Sequence, residues 1–85
     1  MTRRAITDRE LEVVAAWWHT GSVVEAAKLL GIHEQTAKNL LATGRLRSGA
    51  PTTLALARMH AKGLPTVAVL RRRTRQRARS HNAKS

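Results

Sequence analysis

Residues 25–41 read EAAKLLGIHEQTAKNLL, and their small and apolar side chains recur where two tightly crossing helices need them. Two helices joined by a turn of three or four residues pack only if their closest approach carries small side chains, which Ala26 and Ala27 supply. Gly31 makes the turn, because glycine tolerates the positive φ that ends one helix and redirects the chain into the next. Leu30 and Ile32 flank it as core anchors. Ala37, Leu40 and Leu41 follow at helical spacing, so the second helix of the pair buries one face and turns Gln35, Lys38, Asn39 and Ala42 outward. The pattern predicts a helix-turn-helix, whose outward face is the one a recognition helix presents to DNA.

The flanks extend this into an all-α chain. Thr7 and Glu10 form the T-x-x-E capping box, and Asp8 adds negative charge where the helix dipole favours it, so a helix is expected from about Asp8 to between His19 and Gly21. Leu11, Val14 and Trp18 share one face of it, with Trp18 rather than Trp17 expected in the core. Ser22 and Glu25 repeat the box and start a second helix, about Val23 to Leu30. His33 takes the N-cap position of the third, where a histidine is a poor cap and leaves first-turn amides for Thr36 or a phosphate oxygen. The third helix is expected to end between Gly44 and Ser48. Pro51 with Thr52 or Thr53 then opens a fourth through Lys62, with Leu54, Ala57 and Ala61 on one side. Gly63, Leu64 and Pro65 break the pattern. The reading is therefore a four-helix helix-turn-helix domain over residues 1–64 and an arginine-rich C-terminal tail over 65–85, disordered or helical once an anion neutralises its like charges.

Charge is distributed unevenly. The net charge is +11 over 85 residues, yet all five acids (Asp8, Glu10, Glu12, Glu25, Glu34) lie in the first 34 positions, and residues 35–85 carry twelve Lys or Arg and no acid. A one-sided positive field attracts a polyanion, and counterion release makes such binding strong and salt-dependent. The chain holds no cysteine, which removes disulfides, thiolate zinc sites and thiol catalysis. No apolar run approaches the roughly 20 residues that span a bilayer, and the start MTRRAITDRE lacks a signal-peptide core, so a cytoplasmic protein is expected. A chain of this size accommodates one small core rather than a catalytic cleft with its supporting layers.

From Ile6 to Leu41 the chain resembles, without a gap, the LuxR-type (GerE-like) DNA-binding domain of bacterial transcription regulators. That family's L-T-x-R-E-x-E-V-L matches Ile6, Thr7, Arg9, Glu10, Glu12, Val13 and Val14. Its S-x-x-E-I-A matches Ser22, Glu25, Ala26 and Ala27, and its L-G-I-S-x-x-T-V-K-N-x-L matches Leu30, Gly31, Ile32, His33, Thr36, Ala37, Lys38, Asn39 and Leu41. The resemblance continues weakly to about Leu64. It implies a four-helix domain whose third helix enters the major groove and whose fourth often forms a dimer contact; with about five residues before the domain, it is expected to stand alone, without the family's sensory half. It places Lys38 and Asn39 at the groove and gives Thr36 a phosphate or capping role. His33 departs from the family's cap serine, Ala26 and Ala37 from larger core residues, and Ser48 from a core leucine.

The candidate DNA-binding residues are Gln35, Thr36, Lys38, Asn39, Thr43, Arg45, Arg47, Arg71, Arg72, Arg73 and Arg75. Lysine donates to guanine O6 or N7, and asparagine or glutamine pairs with the adenine edge. Arg45 and Arg47 lie past the reading face and are expected on phosphate. The tail arginines are expected along the backbone or in an A·T-rich minor groove; RNA or an acidic protein surface is the alternative, and a membrane-surface helix lacks the apolar residues it needs after Leu70. His19, His33, His60 and His81 show no metal-ligand spacing, and no nucleophile has a base and orienter beside it, so neither a metal, a cofactor nor catalysis is expected. Double-stranded DNA is the expected partner, bound by a homodimer in a sequence-specific transcriptional regulator. An architectural nucleoid-type binder and an adaptor holding RNA polymerase or RNA through the tail are the competing readings.

Overall fold

The computed structural model describes residues 6–83, with side chains described as far as residue 78. Five α-helices follow in order: α1 (Asp8–Thr20), α2 (Val23–Leu30), α3 (Glu34–Ser48), α4 (Thr53–Met59) and α5 (Val67–Ala83). A 3-10 turn, Ala61–Gly63, joins the last two, and no strand occurs among the described residues. The fold is all-α.

Hydroxyl side chains begin most of these helices. The Thr7 hydroxyl accepts from the Glu10 amide at 3.1 Å while the Glu10 carboxylate accepts from the Thr7 amide at 2.9 Å, which completes the capping box at α1. Ser22, Thr52 and Thr66 accept in the same way from the amides of Glu25, Ala55 and Val69. At Ser22 the reciprocal half is not made, and Glu25 instead pairs with Lys28 at 3.4 Å. The turn after α2 follows the expected geometry. Gly31 adopts φ +66°, and the Ile32 amide donates back to the Ala27 carbonyl at 3.0 Å, so a left-handed residue closes the helix as a Schellman motif.

α1 lies at the centre. Val13, Val14, Ala15 and Ala16 are all buried, and four successive helical residues are buried together only when neighbours enclose the helix on every side. α2, α3, α4 and α5 do so, and every one of them packs on α1. Ala26, Ala27 and Ala37 permit the close crossings of α2 and α3, with Leu30, Leu41 and Leu56 filling between them. Gly44 admits another close approach. A Cβ there would stand 3.3 Å from a Leu56 methyl carbon and 3.6 Å from Ile6, so α3 meets α4 and the start of α1 through its glycine.

Several expectations are corrected. Trp18 is 45% exposed and it is Trp17 that packs against the core, because α1 has more than the single buried face its spacing suggests. The fourth helix stops at Met59 rather than Lys62, and of its expected face only Ala57 is buried, together with Leu56; Leu54 and Ala61 are exposed. The tail is not an element apart. α5 packs on α1 and α2, and Leu70 is fully buried. His19 meets the Pro65 carbonyl at 3.0 Å while Glu12 meets Arg73 and Arg77, so α5 runs antiparallel to α1. The side chains of Arg79 and His81, and all of Lys84, lie outside the described residues.

Candidate nucleic-acid interface

α3 divides into an inner and an outer face. Ala37, Leu41, Gly44 and Ser48 are buried at spacings of three and four residues, which turns Gln35, Lys38, Asn39 and Ala42 into solvent. Leu46 continues the outer stripe and is 82% exposed, a feature the sequence reading did not single out. Two side-chain pairs organise the first turns. The Gln35 amide donates through Nε2 to Asn39 Oδ1 at 3.0 Å, and Lys38 Nζ stands 2.9 Å from the Glu34 carboxylate, both i,i+4. Asn39 keeps its own amide N–H groups free for an outside acceptor, and Gln35 keeps its carbonyl oxygen. His33 occupies the N-cap without a side-chain bond, so the first-turn amides of α3 have no side-chain cap.

The remaining candidates divide between surface and interior. Thr36 is half-buried, and the exposed Thr43 donates its hydroxyl to the Leu40 carbonyl at 3.1 Å. Arg45 is half-buried with its Nε enclosed and unpartnered. Arg47 is committed elsewhere. Its Nε lies 3.1 Å from the Glu10 carboxylate, a side chain only 3% exposed, so it joins α3 to the start of α1 rather than standing free for phosphate. Burial pushes the Glu10 carboxyl upward, but the Thr7 amide, the polar groups of Thr43 and Thr7, and the Arg47 guanidinium together hold it below the usual carboxylate range. Ser48 is buried with its hydroxyl 3.3 Å from His60 Nε2, so a polar pair lies between the end of α3 and the residue after α4.

On α5 the arginines also divide. Arg73 and Arg77 converge on the nearly unexposed Glu12 carboxylate, Arg77 at 3.0 and 3.2 Å and Arg73 at 3.5 Å. Arg71, Arg72 and Arg75 are exposed and make no hydrogen bond or ion pair among the described residues. The anchoring role of Arg73 was not legible, because the partner carboxylate is sixty-one positions away. The structure thus brings Gln35, Lys38 and Asn39 together on α3, and it sets the tail arginines on a different helix, α5, which packs on α1 and α2.

Other chemistry is sparse. No group of three His, Cys, Asp or Glu able to hold a metal ion occurs among the described residues, and no helix there is long and apolar enough to cross a membrane. A shallow cleft of about 330 Å³ is lined by Leu11, Arg58, Met59, His60, Lys62 and Gly63, with no carboxylate in it. Comparison with models of protein families, with curated proteins and with solved structures finds no match for the chain.

Proposed function

We propose that the chain is a sequence-specific DNA-binding transcriptional regulator of the cytoplasm, in which α2, the turn at Gly31 and α3 act as a helix-turn-helix resembling the LuxR type. The observation that carries this reading is the outer stripe of α3. It presents an amide pair, a lysine and a small apolar residue on a rigid helix whose opposite face is locked into the core. Those groups match base edges: the amides suit adenine, Lys38 suits guanine O6 or N7, and Ala42 suits a thymine methyl. Arg45 and the uncapped amides of α3 suit phosphate, which positions the helix without specifying sequence. Thr36 and Thr43 flank the face as further backbone contacts.

The protein acts in this reading as a homodimer, since one module contacting a few base pairs gives too little discrimination across a genome. The exposed Leu54 of α4 is its candidate contact, whereas Ala57 is interior. Selection of bound genomic fragments, followed by competition against random duplex at fixed salt, tests the proposal. A specificity ratio well above unity and a site with two half-sites are expected; a ratio near unity would favour the second reading, an architectural binder, for which Arg71, Arg72 and Arg75, exposed and without a partner among the described residues, are the supporting observation. An adaptor for RNA polymerase would instead retain polymerase after nuclease digestion.

A further inference from the structure

Leu46 is not explained by folding. It is 82% exposed, whereas Trp18, Val24, Leu54 and Met59, the other exposed large apolar side chains among the described residues, each keep half or more of their surface covered. Helix formation does not call for a leucine there either, because arginine, lysine, glutamine and glutamate serve a helix about as well. What singles the side chain out is its place on α3.

At about 100° per residue, Asn39, Ala42 and Leu46 fall within about 40° of Gln35 around the helix axis, and all four are exposed. Gly44 lies on the opposite side, against Leu56 and Ile6. One straight stripe therefore carries amides at Gln35 and Asn39 in its first half and apolar groups at Ala42 and Leu46 in its second, and none of the four is charged. The stripe is about 16 Å long at 1.5 Å per residue. Its far end is open, since the exposure of Leu46 leaves no room for another element of the fold over it.

We infer that α3 lies along the major groove and that Leu46 reads the 5-methyl group of a thymine about three base pairs beyond the adenine that Asn39 meets. This rests on the reading of α3 as the recognition helix, and it names a base that the site must contain. Thymine alone among the four bases offers a methyl group in the major groove, where an apolar side chain distinguishes it. Covering leucine and methyl by one another removes both from water, which supplies the burial that the fold does not give Leu46. The register follows from helix geometry. Leu46 stands about 10.5 Å along the axis from Asn39, or about three base-pair steps of 3.4 Å, whereas Ala42 stands about 4.5 Å from it, or about one step.

The test uses the full chain and a duplex recovered by selection, in which each thymine in turn is replaced by deoxyuridine; this removes the methyl group and leaves the hydrogen-bonding edge intact. At one thymine, about three pairs from an adenine, wild-type affinity is expected to fall about fourfold, the effect of returning one methyl group to water. Leu46→Ala and Leu46→Gln should each weaken the unmodified duplex at least about fourfold and lose no more on deoxyuridine at that position, the coupling that a double-mutant cycle isolates. Helical circular dichroism and the number of protomers per site should stay as in the wild type. Variants that bind like the wild type overturn the inference, as do variants in which every deoxyuridine loss persists. A changed number of protomers also overturns it, since Leu46 would then be a protein contact. These failures leave a wild type that still prefers the selected site to random duplex. A wild type without that preference would instead remove the reading of α3, and the inference with it.

Discussion

Lys38 and Asn39 show how much a single helical register decides. Their neighbours Ala37 and Leu41 are buried, so both side chains project from the exposed face, with Lys38 beside Glu34 and Asn39 beside Gln35. If they read bases, Lys38→Ala and Asn39→Ala should each weaken the cognate complex by about 1–3 kcal/mol and random duplex far less. Equal losses on both duplexes would mean that neither reads sequence. Glu10 illustrates the opposite case, a charged residue turned inward. Its folded-state pKa is depressed, so its contribution to stability is fully present above the unfolded carboxylate's pKa and is lost as pH falls through the folded value. Glu10→Gln is therefore expected to be less stable at neutral pH by about 1–2 kcal/mol, with the difference from wild type shrinking toward acid. Urea titrations at several pH values check this; curves that stay parallel would show that Glu10 does not carry the linkage.

At the scale of elements, α5 departs most from its sequence appearance. An arginine-dense helix repels itself, and its formation against the protein is explained by what it buries and neutralises there. Leu70 enters the core beside α1 and α2, and Glu12 takes the charge of Arg73 and Arg77. Leu70→Ala should cost about 2–5 kcal/mol, the range for emptying a fully buried leucine site. Truncation after Leu64 removes the same side chain and should abolish cooperative unfolding; a truncated chain with wild-type stability would show α5 to be dispensable to the core. Glu12 was legible as part of a motif but not as an anchor, since nothing local distinguishes a carboxylate that waits for a partner sixty positions on.

For the molecule as a whole, the consequence is a layered division of labour. Acids occupy α1, α2 and the start of α3, where they cap helices or pair with lysines and arginines, and among the described residues Arg71, Arg72 and Arg75 of α5 have no acidic partner. Binding to any duplex should therefore weaken steeply with salt, with log affinity falling by about 0.9 per phosphate contact for each unit of log salt, as fluorescence anisotropy would record. A salt-independent complex would deny the backbone contacts. Sedimentation of the complex on a selected site should give two protomers, and Leu54→Glu should reduce it to one while leaving the fold intact, because Leu54 is 43% exposed. One wild-type protomer on a site without two half-sites would remove α4 as a dimer contact.

The sequence alone determined what is local. Thr7, Ser22 and Thr52 bond the amides three residues ahead, Gly31 takes the left-handed conformation its neighbours demand, and the spacing of Ala37, Leu41 and Gly44 turns Gln35, Lys38 and Asn39 outward. Each of these rests on residues within a helical turn or two, where covalent geometry sets who meets whom. Tertiary structure decided which tryptophan is covered, that Arg47 serves Glu10, that Ser48 pairs with His60, and that Glu12 and Leu70 make the arginine segment part of the core. Those outcomes depend on which elements pack around α1, and burial and ion pairing between residues dozens of positions apart exist only once the helices have met.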